Sequence, residues 1–169
     1  MLSRSQLTAL FLLLVSPGPV SAGGAAPPLI LDRTYTGAGF TLGYPRAYTV
    51  RSFVGGLALT APGRGDVLTA SVLPRPANAR TLSAEAYARQ FAPLNVQGAG
   101  ELLRFSRLTL PGGRPAWVGT WRGARGTPVG PLALVPLDPG AQNWLMMSAA
   151  GPSDLPLLDA VTRSVRTGR

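Results

Sequence analysis

All sixteen basic residues among the 169 are arginine, and histidine, lysine and cysteine are absent. Without histidine or cysteine the chain has no Ser-His-Asp triad, no thiolate nucleophile and no ordinary zinc site, and without lysine it has no Ser-Lys dyad or Schiff base. What is left is recognition of anions by guanidinium groups and chemistry by carboxylates. The densest basic set is Arg104, Arg107, Arg114, Arg122 and Arg125, within one predicted hairpin and the turn after it. Planar guanidinium forks on neighbouring strands suit bidentate contact with carboxylate or phosphate, so these five are the candidate anion- or partner-binding residues. The plainer alternative is a solvated sheet face whose charges keep strand edges from pairing.

The seven acids are Asp32, Asp66, Glu85, Glu101, Asp138, Asp154 and Asp159. A carboxylate-dependent hydrolase would need two of them to converge in a cleft, for example Asp66 with Glu101. Most have a nearer role in a turn, on a helix face or beside a helix N-terminus. No run clusters enough oxygen ligands for a hard metal, so the reading is a chain that is not an enzyme, with no metal and no cofactor. Arg64-Gly65-Asp66 spells an adhesion tripeptide in a turn, but glycine and aspartate are turn residues in their own right and a three-residue match is weak evidence.

These side chains must be held by strands. Phe40, Leu42 and Tyr44 alternate with Thr41 and Gly43, which places the three bulky groups on one face of a strand that Pro45 ends, with Tyr48 set to fold back over it. Thr49–Val54 and Leu57–Thr60 flank Gly55-Gly56 as a tight hairpin with positive φ at both glycines. A second turn over 62–66 leads into a strand over 67–73 that Pro74 and Pro76 stop. Tyr87, Phe91 and Leu94, extended by Leu82 and Ala86, change the period to that of a helix from about Leu82 to Phe91, capped by Thr81 or Ser83, with Glu85 four residues before Arg89. Four strands follow as a meander, Glu101–Leu110, Arg114–Arg122, Leu132–Leu137 and Asn143–Ala149, separated by glycine- and proline-rich turns. Trp117, Gly119 and Trp121 share one face of their strand, and Trp144 and Met146 share one face of theirs. Ser153 is expected to cap a last helix with Leu155, Leu158, Val161, Thr162 and Val165 as its buried stripe and Asp159 paired to Arg163. The whole reads as α+β, a central antiparallel sheet meander packed with helices.

Met1 to Ala22 has the pattern of a signal peptide: Arg4, an apolar run from Leu7 to Val15, and the small-residue ending Val20-Ser21-Ala22. The apolar run is well short of the roughly 20 residues that cross a bilayer. Residues 23–30 read as a flexible linker and 31–169 as one domain. Cleavage would remove Arg4 and bring the net charge from +9 to +8, a field that attracts anionic polymers, membranes or acidic proteins. An exported chain without a nucleic-acid motif is not expected to bind nucleic acid.

The sequence Phe40-Thr41-Leu42-Gly43-Tyr44-Pro45, with Tyr48 three residues after the proline, resembles the opening strand of the PsbP-like domains, relatives of the extrinsic photosystem II subunit and of the Mog-type Ran-binding proteins. Further landmarks follow in order: a strand ending in prolines before a helix, the hairpin start Gly113-Arg114-Pro115-Ala116, and a last strand leading through Ser153-Asp154 into a helix that ends Thr162-Arg163-Ser164-Val165-Arg166. The resemblance implies an α/β/α sandwich and a class whose members mostly act by docking to partners. Plant members are associated with lysine-rich docking surfaces and metal binding, and this chain has neither lysine nor histidine to carry them.

The function expected is a non-catalytic exported domain, periplasmic or secreted, that binds an envelope protein or anionic polymer. The alternatives are a small-molecule carrier with an apolar pocket near Trp117, Trp121, Trp144, Met146 and Met147, and the carboxylate hydrolase.

Overall fold

The structure is a computed structural model that describes residues 29–37 and 39–168. The signal peptide expected over 1–22 and most of the linker expected over 23–30 lie outside the described residues. Among the described residues ten strands and three α-helices follow one another: β1 (Arg33–Gly37), β2 (Phe40–Tyr44), β3 (Thr49–Phe53), β4 (Gly56–Ala61), β5 (Gly65–Pro74), α1 (Ala84–Arg89), α2 (Phe91–Asn95), β6 (Leu102–Thr109), β7 (Pro115–Arg122), β8 (Pro128–Pro136), β9 (Asn143–Ala149), α3 (Leu155–Ser164) and β10 (Arg166–Thr167). The α+β class holds. Two antiparallel sheets are present among the described residues, however, where one was expected. A seven-stranded sheet runs β3-β4-β5-β9-β8-β7-β6, and a small one runs β1-β2-β10.

The opening strand β2 is therefore not part of the meander. Phe40 and Leu42 are buried as their alternation predicts, but they close over α3 and the main sheet from a separate layer. The Ser164 hydroxyl at the end of α3 accepts from the Gly43 amide at 2.8 Å and ties that layer down. Tyr48 turns back as expected, its amide bonded to the Pro45 carbonyl at 3.0 Å.

Strand alternation sends neighbouring residues of the main sheet to opposite faces. Leu145 and Met147 join Ala133, Val135, Leu158 and Val161 in the cluster under α3, whereas Trp144, Leu132 and Leu134 join Trp117, Trp121, Tyr87 and Phe91 under α1 and α2. The aromatic layer expected from Trp117, Trp121 and Trp144 is present: Trp144 meets Tyr87 edge-on at 5.0 Å between ring centres and lies 5.8 Å from Trp117. Edge-on and offset geometries of this kind suit the ring quadrupoles.

Several local expectations need correction, each for a physical reason. In the β3–β4 hairpin only Gly55 has positive φ, at 76°. Gly56 lies in β4, where a Cβ would run into the Ala70 carbonyl oxygen. The predicted single helix is two: Ser83 caps α1 by accepting from the Ala86 amide at 3.1 Å, and the chain then breaks at Gln90. Pro93 lacks the N–H that would reach the Arg89 carbonyl four residues back. The Trp121 indole N–H takes that carbonyl at 2.9 Å instead, joining β7 to α1. In α3, Leu157 is buried and Leu155 is 39% exposed, so the buried stripe begins at Leu157 and not at Leu155, while Leu158, Val161, Thr162 and Val165 are buried as expected.

Candidate functional site

Neither end of α3 nor of α1 brings acids together. Asp66 is the second residue of β5, while Glu101 precedes β6 and pairs with Arg122 at 3.4 Å. Strands β9, β8 and β7 intervene, and four inter-strand spacings put the two acids on the order of 19 Å apart. The Asp66–Glu101 pairing is thus not assembled, and no group of three or more His, Cys, Asp or Glu side chains gathers among the described residues.

The tripeptide Arg64-Gly65-Asp66 is engaged internally at both ends. The Arg64 guanidinium donates two parallel bonds of 2.9 Å to the Asp154 carboxylate, which is only 4% exposed. That contact raises the Arg64 pKa, through the hydrogen bonds first and the charge of Asp154 second. Asp66 accepts from the Thr60 hydroxyl at 2.7 Å and from Arg51, and these contacts, in that order, hold its carboxyl below the usual range. Ser153 does not cap α3; the N-cap position is Asp154, whose side chain makes no capping bond because it faces Arg64.

Among the described residues, uncompensated charge is confined to a subset of the arginines. Arg46, Arg51, Arg64, Arg89, Arg122 and Arg163 pair with Asp32, Asp66, Asp154, Glu85, Glu101 and Asp159. The seventh acid, Asp138, accepts from the Gln142 amide at 2.9 Å, the Asn143 amide at 2.8 Å and the Asn143 side chain at 3.1 Å. Burial alone would raise its pKa, but these donors outweigh it and the net shift is downward. Every acid is therefore in use. The exposed arginines without an ion pair or hydrogen bond among the described residues are Arg33, Arg80, Arg104, Arg107, Arg125 and Arg166.

Half of that set lies on β6 and the turn after β7. Arg104 stands opposite Thr120 and Arg107 opposite Trp117, so their side chains leave opposite faces of β6. Arg125 sits in the turn between β7 and β8 with φ of 57°. The other two predicted members are engaged. Arg122 pairs with Glu101, and half-buried Arg114 donates to the Thr167 hydroxyl at 2.7 Å, fastening the start of β7 to β10. The five arginines thus do not form one patch; three remain free around the outer hairpin, Arg122 is paired at the surface and Arg114 ties β7 to β10.

Edge strand β6 is packed by α1 on its Phe105 face. Leu103 bulges out between Leu102 and Arg104, and the Arg89 guanidinium lies 4.4 Å from the centre of the Phe105 ring. On the Arg104 face an open groove of about 590 Å³ is lined by Arg104, Ser106, Val118, Thr120, Pro131 and Leu155. A second cavity of about 470 Å³, lined by Ala84, Pro115, Pro136, Leu137 and Ala141 with Arg114 on its wall, opens at the other end of the sheet. Neither is where the carrier pocket was expected. Trp117, Trp121 and Trp144 fill their layer, and Met147 lies on the opposite face of the sheet.

Arg75 carries no signal in the sequence beyond its place between Pro74 and Pro76. It is 5% exposed, without an acidic partner, bonded to the Leu82 carbonyl and stacked 5.0 Å over Tyr87, so it pins the end of β5 to the start of α1.

Two antiparallel sheets with helices on the larger one define an α+β fold of the PsbP-like type. The solution structure of cyanobacterial PsbP (CyanoP) from Synechocystis is similar to this chain with a TM-score of 0.51 and 14% identity, over 87% of this chain and 99% of that one. At that identity the likeness carries the fold alone. No family model and no curated protein sequence matches the chain. No helix among the described residues is long and apolar enough to cross a membrane.

Proposed function

We propose that this chain is a non-catalytic exported domain that binds an acidic partner protein through the cationic edge formed by β6 and the turn after β7. The observation that carries the reading is the charge distribution. All seven acids are engaged, and Arg104, Arg107 and Arg125 are left unneutralised along β6 and the turn after β7, with Arg104 and Arg107 on opposite faces of that edge. Export rests on the leader pattern over residues 1–22, and the non-catalytic character on the absence of histidine, cysteine and lysine and on the separated Asp66 and Glu101. Core clusters on both faces of the main sheet support the three-layer α/β/α arrangement.

Immobilised polyglutamate in a salt series tests this. Replacing Arg104, Arg107 and Arg125 with serine removes the same charge as replacing Arg33, Arg80 and Arg166. The first variant is expected to elute at clearly lower salt than the second, because charges gathered along one edge strand and its adjoining turn meet one polyanion together. Co-elution of the two variants, or retention indifferent to salt, contradicts a localised face.

A small-molecule carrier is the second reading, favoured by the apolar cavity of about 470 Å³ beside Arg114. A small molecule co-purifying with the protein from its host, and lost on filling the cavity by Ala84→Phe, supports it; native mass spectra of the bare chain alone count against it.

A further inference from the structure

We infer that the free edge of β6 takes up an added antiparallel strand from the partner, with acidic residues at the first and fourth positions of the segment that pairs with Arg104–Arg107. This deepens the reading above and rests on it.

β6 ends the seven-stranded order and pairs only with β7, so its outer main-chain donors and acceptors have no strand partner among the described residues. The sheet's other terminal strand, β3, differs in charge: its Arg51 is neutralised by Asp66, whereas Arg104 and Arg107 on β6 have no acid. The bulge at Leu103 interrupts regular pairing and confines a new strand to Arg104–Thr109.

Register then dictates what the added strand must carry. Arg104 and Arg107 are three residues apart and project to opposite faces, so the residues facing them on a new strand are also three apart and also on opposite faces. Acids at those two positions meet one guanidinium on each side of the sheet. The residue between them that faces Ser106 lies on the Arg104 face, beside the groove floored by Val118, Pro131 and Leu155, and an apolar side chain fits there. In an antiparallel segment the pattern reads acid, apolar, any, acid. A second copy of β6 is disfavoured, because the symmetric register centred between Phe105 and Ser106 sets Arg104 against Arg107, and like charges directly opposite repel.

The test uses the full chain and fluorescein-labelled nine-residue peptides read by anisotropy. The first carries Glu-Val-Thr-Glu at its centre between Thr and Val flanks; an isomer places both glutamates together; two more are N-methylated on one or the other alternate set of central amides. Expected are binding of the first, loss of binding with only one of the methylated sets, and weakening of about fivefold for each of Arg104→Glu and Arg107→Glu, with no change for Arg33→Glu. The thermal midpoint of each variant checks that it is folded. Equal binding by the isomer and by both methylated peptides overturns strand addition while leaving the cationic face standing. Absence of binding by every acidic peptide, with polyglutamate retention also absent, overturns both.

Discussion

Replacing Gly119 with alanine sets two effects against each other, and the structure decides between them. Glycine inside a strand is unfavourable by roughly 0.5–1 kcal/mol relative to alanine, so on propensity alone the substitution stabilises. A Cβ at this position, however, would stand 2.8 Å from Cζ3 and 2.9 Å from Cζ2 of the Trp121 indole and closer still to its Cη2. Trp121 is fully buried, and its N–H holds the Arg89 carbonyl at 2.9 Å, so the ring cannot swing aside without losing that bond. Overpacking costs about 1–3 kcal/mol and the lost hydrogen bond about 1 kcal/mol, which together outweigh the gain. The net is a destabilisation of about 2 kcal/mol, or a fall in thermal midpoint of about 4–8 °C for a domain of this size. Thermal unfolding followed by near-UV circular dichroism reads it. Phenylalanine at 121 lacks the outer indole atoms, so in a Trp121→Phe background Gly119→Ala is expected to cost little or to stabilise. An equal cost in both backgrounds, or a higher midpoint for Gly119→Ala alone, refutes the steric argument.

Other consequences are as specific. Trp117 is buried with its indole N–H unpartnered, so Trp117→Phe removes an unsatisfied donor and is expected to stay within about 1 kcal/mol of wild type, while Trp121→Phe, which loses a made bond, costs about 1 kcal/mol more; denaturant titration compares the two. Asp138 has a folded pKa below its ordinary 3.8, so its contribution is complete above that value and is lost as pH falls through the lower folded one. Asp138→Ala should therefore be less stable than wild type at neutral pH and lose less on acidification from about pH 5 to about pH 2, and equal losses contradict the loop account. Arg64→Ala leaves the buried Asp154 without its guanidinium and is expected to lower the thermal midpoint more than Arg33→Ala, which removes an exposed, unpaired charge; equal midpoints contradict the assigned role.

Short-range pattern made much of the fold legible. Alternation over Phe40–Tyr44, the turn glycines and prolines, and the spacing of Tyr87, Phe91 and Leu94 marked most of the main strands and the first helical region. The sequence did not reveal partners chosen over long distances. β1 is a polar Arg-Thr-Tyr-Thr-Gly run and β10 only two residues, so neither announces a strand, yet both pair with β2 and draw it away from the meander. Asp154 looked like a helix-end charge because the local window contains no better partner; Arg64 lies 90 residues away. The candidate site divides along the same line. Arg104 and Arg107 were legible as charges on a strand, but only the pairing register shows them on opposite faces, and only the contacts of Arg114 with Thr167 and of Arg122 with Glu101 remove those two from the set.

The most direct measurement is hydrogen–deuterium exchange of the full chain, with and without the peptide carrying Glu-Val-Thr-Glu. If β6 is the docking edge, the amides of Arg104–Thr109 that exchange freely in the unbound protein become protected, and those of β3 do not change. Unchanged exchange along β6 at saturating peptide, or protection that appears at β3 instead, contradicts the account.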